Sequence, residues 1–418
     1  MKCIVNTNDC TSNYSFKTGD MLMSKNDGGV FFCKRCVIST LRPTSTKESK
    51  HVRNEKKPTT FFDQDGVCDA CRWAEIKETK IDWEKREHEL HTLCDKHRSN
   101  TGNYDVVVPV SGGKDSMYVA HVLKNKYKMN PLTVTWAPHL WTETGLKNHQ
   151  NLIKSGFDNI LLSPNGEIHR RLTRLAFLNL GHPFQPFIIG QRSVGPKTAL
   201  QYGVKLIFYG ENVAEYGNNI EDNYIPTMDP ALFTCYDIDD PKTTLSGLSI
   251  AHLNNSENIS RSDLLAYKSL SLQEVEERDL EVHYMSYYRK WVPQENYYYA
   301  MKNTSFEPSP VRTIGSYSKY SGLDDKIEWL HYYIMYIKFG MGCTTADAAQ
   351  EIRTGKITRE EGVALTRKYD GEFPDEHLDD FLEYTGLSRG DFFVALDSFR
   401  PKNLWKKKED TWVLKYQV

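Results

Sequence analysis

The 418-residue chain contains no run of eighteen apolar residues, so no membrane-spanning helix is expected. Its N-terminus lacks the charged-then-apolar pattern of a secretory signal, and a cytoplasmic location is the expectation that follows. Charge of one sign is not in excess. The 53 Lys and Arg oppose 55 Asp and Glu, for a formal net charge of −2. This balance argues against a nucleic-acid partner, which would call for a basic face. The one local basic stretch, residues 47–57, sits in polar sequence and reads as a solvated loop. Nine cysteines in a chain of this length do not make a disulfide scaffold. No internal repeat of solenoid period is present. A cysteine nucleophile in a glycine-rich elbow is also lacking, so the chain has no recognisable glutaminase segment.

The most informative segment is Ser111-Gly-Gly-Lys-Asp-Ser116, directly after the apolar run 104–110. It is not a Gly-x-x-x-x-Gly-Lys-Ser/Thr loop, nor the Gly-x-Gly-x-x-Gly dinucleotide fingerprint. It has the form of a phosphate cradle between a buried strand and a helix. Gly112 and Gly113 let the backbone approach an anion, and their N–H groups join those of the helix start. Ser111 and Ser116 add hydroxyls, Lys114 a positive charge, and Asp115 an oxygen ligand for Mg²⁺.

Cysteine arrangement matters more than number. Cys33-Lys-Arg-Cys36 and Cys68-Asp-Ala-Cys71 are two C-x₂-C pairs with 31 residues between them. Each pair puts two thiolates on one tight turn, and two turns supply a tetrahedral S₄ site. Zn²⁺ suits this site, and iron is chemically possible. Cys3, Cys10, Cys94, Cys235 and Cys343 have no partner spacing and read as ordinary thiols.

The expected fold class is α/β, a doubly wound parallel sheet flanked by an N-terminal four-Cys module and a helical C-terminal region. Residues 1–30 form a polar lead, 31–75 the zinc module, and 76–103 a helical linker. Residues 104–220 carry the nucleotide-binding sheet. Strands are expected at 104–110, 131–136, 159–162 and 205–209, with helices at 115–128, 143–156, 166–180 and 190–202. Residues 221–320 form an irregular insertion with helical pieces at 261–271 and 272–288, and the Tyr297–Tyr299 cluster reads as packing. Residues 321–418 are helical, with a buried stripe on 326–339, a helix at 345–354 and a capping box at Thr358–Glu361. Ligands of such sheets bind beyond the carboxyl ends of the strands. The candidate site therefore joins 111–116, Trp136 and its turn, and Gly210, Glu211 and Asn212. Glu211 is a candidate second carboxylate. Arg192 and Lys197, in a Ser/Gly-containing stretch, are candidates for facing phosphates or a sugar carboxylate.

The spelling of the Ser111–Ser116 loop resembles the PP-loop of the ATP pyrophosphatases, whose fold is of the adenine nucleotide alpha hydrolase-like type. Together with Cys33–Cys71, Tyr209–Asn218 and the tract from Phe339-Gly-Met-Gly342 to Tyr369-Asp-Gly371, the chain resembles the N-acetyl sugar amidotransferases of bacterial surface-sugar pathways. The resemblance spans roughly residues 31–390. It implies that ATP is split to AMP and pyrophosphate with Mg²⁺, that a structural Zn²⁺ is bound, and that an acetamido group on a nucleotide-linked sugar becomes an acetamidino group. Ammonia would come from a separate glutaminase partner. Two other readings compete. A sulfur-inserting tRNA enzyme would need a catalytic cysteine, and Cys235 is the one candidate near the sheet. A non-catalytic zinc-ribbon adaptor would make no use of Lys114 and Asp115.

Overall fold

The computed structural model of the chain describes residues 29–45, 47–51, 53 and 57–418. Cys3, Cys10 and nearly all of the expected 1–30 lead lie outside the described residues.

Five short strands form one parallel sheet. They are β1 (Val106–Pro109), β2 (Pro131–Trp136), β3 (Asp158–Leu162), β4 (Leu206–Tyr209) and β5 (Glu281–Tyr284). Their spatial order is β3-β2-β1-β4-β5, every neighbour pair parallel. Side chains alternate across the sheet with period two. Val107 and Ile207 point into a core shared with the helix Gln185–Tyr202, whereas Val106, Val108, Leu206 and Phe208 join Met117, Val119 and Ala300 on the other face. Both faces are covered at the central strands β1 and β4, which are accordingly continuous apolar runs rather than alternating ones.

Two glycines set how closely the helix Gln185–Tyr202 lies on the sheet. A Cβ at Gly190 would sit 2.2 Å from the Trp136 ring, and one at Gly195 would sit 2.7 Å from Pro109. Pro186 at the start of this helix lets it begin at Gln185, five residues before the expected 190. The strands and the other helices of 104–209 agree with expectation within about three residues, the usual uncertainty of element ends.

The expected helix over 272–288 is corrected. It ends at Glu277, and the chain turns through Asp279 at φ +52° into β5, parallel to β4. Val282 and Tyr284 enter one core and Met285 the other. The alternation is short and flanked by charge, which hid it behind the helix-forming Glu and Gln residues before it. The piece expected at 261–271 shrinks to a single 3₁₀ turn, Ser262–Leu264. The segment 221–320 therefore completes the sheet.

The C-terminal region holds helices Glu328–Phe339, Cys343–Arg353, Arg359–Tyr369, Leu378–Thr385 and Arg389–Ser398. The capping box at Thr358 and Glu361 forms as expected. An unexpected hairpin, Trp405–Lys408 with Thr411–Leu414, ends the region, and its Trp405 Nε1 donates to the Ile337 carbonyl at 2.7 Å.

The four-Cys segment packs against Ala348 and Ala349 of the helix Cys343–Arg353, and Arg359 Nη2 donates to the Cys33 carbonyl at 3.2 Å. On its other side, the helix Asp69–Thr79 grips the loop after β4. Trp73 Nε1 donates to Glu215 Oε1 at 3.0 Å, and Lys77 pairs with Glu215 Oε2 at 2.5 Å, both partners buried. Among the described residues, no helix is long and apolar enough to cross a membrane.

Candidate functional site

The strand order reverses between β1 and β4, and the crevice beyond their carboxyl ends is where an open parallel sheet takes a ligand. Here it is a cleft of about 620 Å³. The loop after β1 forms its floor. Gly112 sits at φ +92°, and a Cβ there would come within 3.2 Å of the His149 backbone nitrogen. Any side chain would thus meet both strain and backbone. Ser111 Oγ accepts from Gly113 N–H at 3.2 Å, and Ser116 Oγ donates to the Gly113 carbonyl at 3.1 Å. The two hydroxyls hold the loop's shape, and the N-terminus of the helix Lys114–Asn125 faces the cleft. Such an N-terminus is a ready site for an anion.

Lys114 is paired with the neighbouring Asp115 and lies 5.1 Å from the centre of the Tyr320 ring. Asp115 Oδ1 also accepts from Asn296 Nδ2 at 3.1 Å. Trp136, Gly210, Glu211, Asn212 and Arg192 all line the cleft, as do the loop residues other than Gly112. Arg192 Nη1 is buried without a hydrogen-bond partner. Asn212 is occupied structurally: its Oδ1 accepts from Ala214 N–H and its Nδ2 donates to the Asp222 carbonyl, both at 3.1 Å. Lys197 is not brought to the cleft. Its ammonium donates to the Ala266 carbonyl at 2.9 Å, and burial lowers its pKa.

The residues that sequence reasoning missed come from the far end of the chain. Tyr320, Asp324 and Glu328 line the same cleft, with Tyr320 beside the loop's Lys114. Gly145 permits this approach, since a Cβ there would lie 2.5 Å from the Asp324 Cα. The only sequence signal was the i, i+4 spacing of two acids at a helix start, which reads as ordinary helix-end charge.

These acids crowd one another. Burial, then the Asp115 carboxylate, pushes Glu211 up to about 7, against the opposing pull of Lys114. Burial, then Asp325, pushes Asp324 up to about 6. Burial and Asp324 raise Glu328 well above the carboxylate range. A raised carboxylate pKa stabilises the fold most below the unfolded value, and that contribution is lost as pH rises through the folded one. For Glu211 the window runs from its ordinary 4.5 to about 7. Glu211→Gln is therefore expected to be more stable than the parent at pH 8 and to lose that advantage by pH 4. Thermal melts of both proteins across pH check this, and a difference independent of pH would contradict it.

The four cysteines form a second site. Cys33 and Cys71 sulfurs are 3.8 Å apart and those of Cys36 and Cys68 are 3.7 Å apart, all buried. A tetrahedron with metal–sulfur bonds of about 2.3 Å has edges of about 3.8 Å, which these two pairs match, and all four sulfurs lie within 4.8 Å of one another, so the set is compatible with Zn²⁺. The N–H of Cys68 points at Cys33 Sγ at 3.4 Å. Arg42 and Arg353 are half-buried nearby, and the thiolates raise the pKa of both, although desolvation outweighs this for Arg42 and holds it near 10. Their charges complement a metal–tetrathiolate, which is a dianion. Of the remaining described thiols, burial raises Cys94 to about 12 and also raises Cys235 and Cys343. All three read as inert.

The fold and cleft define an α/β protein with a glycine-containing loop and a helix N-terminus at the sheet's switch point. Residues 314–418, about a quarter of the chain, match the family model described as the LPS biosynthesis protein WbpG-like, C-terminal domain. That match supports a role in surface-sugar biosynthesis. Over 122 residues, the chain is 30% identical to the uncharacterized protein MJ1599 of Methanocaldococcus jannaschii, covering 29% of this chain and 38% of that protein. The chain thus matches well under half of that relative's length.

Proposed function

We propose that the chain is an ATP-dependent amidotransferase that converts the acetamido group of a nucleotide-linked N-acetyl sugar into an acetamidino group. The carrying observation is that Tyr320, Asp324 and Glu328, all within the segment matched to the WbpG-like domain, line the same cleft as the Ser111–Ser116 loop. A phosphate-cradling loop and a surface-sugar segment thereby share one site.

The amide carbonyl of an acetamido group is a poor electrophile. Its oxygen attacks the α-phosphorus of ATP and pyrophosphate leaves, giving an imidate ester of AMP. Ammonia then adds to the imidate carbon, AMP departs and a proton is lost. The loop N–H groups and Lys114 stabilise the departing pyrophosphate. Asp115 would hold Mg²⁺, which supplies charge neutralisation on the phosphates when bound. Glu211, with its raised proton affinity, lies beside Asp115 to take up the proton that ammonia loses. Arg192, whose Nη1 is buried without a hydrogen-bond partner, is the group to meet an anionic part of the acceptor. The ammonia donor is a separate glutaminase, and the activated sugar places the reaction in the cytoplasm.

Product analysis of the nucleotide tests the first half of this scheme. With ATP, Mg²⁺, ammonium and a nucleotide-activated N-acetyl sugar, AMP and pyrophosphate are expected in equal amounts. ADP and phosphate would overturn it. Cys235 separates this reading from sulfur insertion. The thiol does not line the cleft, and burial raises its pKa. Cys235→Ser is expected to form AMP within about twofold of the parent rate, since nothing in the reaction uses it. Loss of activity would favour the thiolation reading, and a steady-state assay decides.

A further inference from the structure

Tyr320 reaches the cleft from residues 304–327, a stretch without helix or strand. The centre of its ring lies 5.1 Å from Lys114 Nζ, within range of the attraction between an ammonium and a ring face. A stretch without regular structure holds a ring in one place only when it is tied from elsewhere, because ordering it costs entropy.

The ties come from the helix Cys343–Arg353. The Tyr320 hydroxyl donates to Glu351 Oε1 at 3.3 Å, and the Tyr317 hydroxyl donates to Glu351 Oε2 at 2.9 Å. Asp347 lies one turn earlier on the same helix face. Its Oδ2 accepts from Ser316 Oγ at 2.5 Å and from Ser321 Oγ at 3.3 Å. The chain on both sides of the ring is thereby pinned to one helix. Thr313 Oγ1 adds a bond to the Ser321 carbonyl at 2.7 Å, and the Tyr297 ring packs on that of Tyr320 with centres 4.6 Å apart. Burial raises the Tyr320 pKa, so its hydroxyl remains a donor at neutral pH. The helix itself is seated firmly, since Ala348 and Ala349 pack against the four cysteines.

Lys114 needs a fixed neighbour of this kind. Its ammonium ends a flexible four-carbon stem. It pairs with Asp115, but that carboxylate is also the group that would hold Mg²⁺. The ring face makes no such double commitment. We propose that Tyr320 is a positioning residue for Lys114, its ring set by Glu351 so that the ammonium is aimed at phosphate in the cleft. This rests on the reading of the Ser111–Ser116 loop as a phosphate cradle.

Calorimetric titration of the full chain with magnesium pyrophosphate tests the proposal without an acceptor sugar. Lys114→Met should weaken binding. Tyr320→Leu should weaken it about 3–30-fold, the range of a cation–π contact from exposed to desolvated. Tyr320→Phe keeps the ring and loses Glu351, so its affinity should fall between those of the parent and Tyr320→Leu. Tyr317→Phe gives up a bond to the same carboxylate without touching Lys114 and should bind as the parent does. In the Lys114→Met background, Tyr320→Leu should change affinity by less than about twofold, because the two side chains act as one unit. Circular dichroism spectra matching the parent's report that each variant is folded. An equal loss from Tyr320→Leu in both backgrounds, or no loss in the parent, would overturn the proposal and leave the cradle standing. A parent that does not bind magnesium pyrophosphate, or a Lys114→Met variant that binds it as tightly, would overturn the cradle and the proposal together.

Discussion

Lys114→Met is expected to lower the rate of AMP formation by about 10²–10³-fold, the usual loss when one preorganised donor to a developing charge is removed. Lys114 is the one cation whose side chain rises from the loop into the cleft, held between Asp115 and the Tyr320 ring. A Met side chain keeps the bulk over Tyr320 and deletes the charge, so stability should change little. Asp115 keeps a partner in Asn296. Asp115→Ala should be equally inactive with its zinc content intact, because the four cysteines belong to another module. Steady-state assays and metal analysis of both variants check this. An active Lys114→Met protein would remove the loop from the chemistry.

The second large effect is structural. Replacing Cys33 and Cys71 with Ser should unfold the segment 31–75. Apart from Trp73, which reaches Glu215, its buried apolar residues are few and small: Val37, Ile38, Val67 and Ala70 pack with the cysteines themselves. A structural zinc contributes an apparent ~10–16 kcal/mol, comparable to the whole stability of an ordinary domain. The damage should reach the cleft, because Trp73 of this module and Lys77, further along the same helix, hold Glu215, on the loop that carries Glu211. Without Lys77 the buried Glu215 carboxylate stands uncompensated, which costs about 3–5 kcal/mol. Limited proteolysis, zinc content and the melting temperature report the outcome. A metal-free variant with the parent's protease resistance would show that the cysteines are dispensable.

The legible parts of the sequence were those coded locally. The loop needs six consecutive residues, and the strand before it and the helix after it are set by apolar runs and a helix start. The two C-x₂-C pairs carry their own geometry. What stayed hidden depends on long-range pairing. β5 has four residues, and only its contact with β4 makes Glu281–Tyr284 a strand rather than a continuation of the helix before it. Asp324 and Glu328 lie over 200 residues from the loop they face, and their approach depends on the absence of a side chain at Gly145. Lys197 had the right charge on the right helix, but its ammonium is turned to Ala266.

Mass spectrometry of the acceptor tests the central claim most directly. The enzyme is incubated with ATP, Mg²⁺, ammonium and a panel of nucleotide-activated N-acetyl sugars. The account predicts one sugar whose mass shifts by the exchange of O for NH in an acetamido group, with one AMP formed per exchange. Unchanged sugars across the panel while sulfur enters tRNA, or ATP turnover that yields ADP, would contradict it.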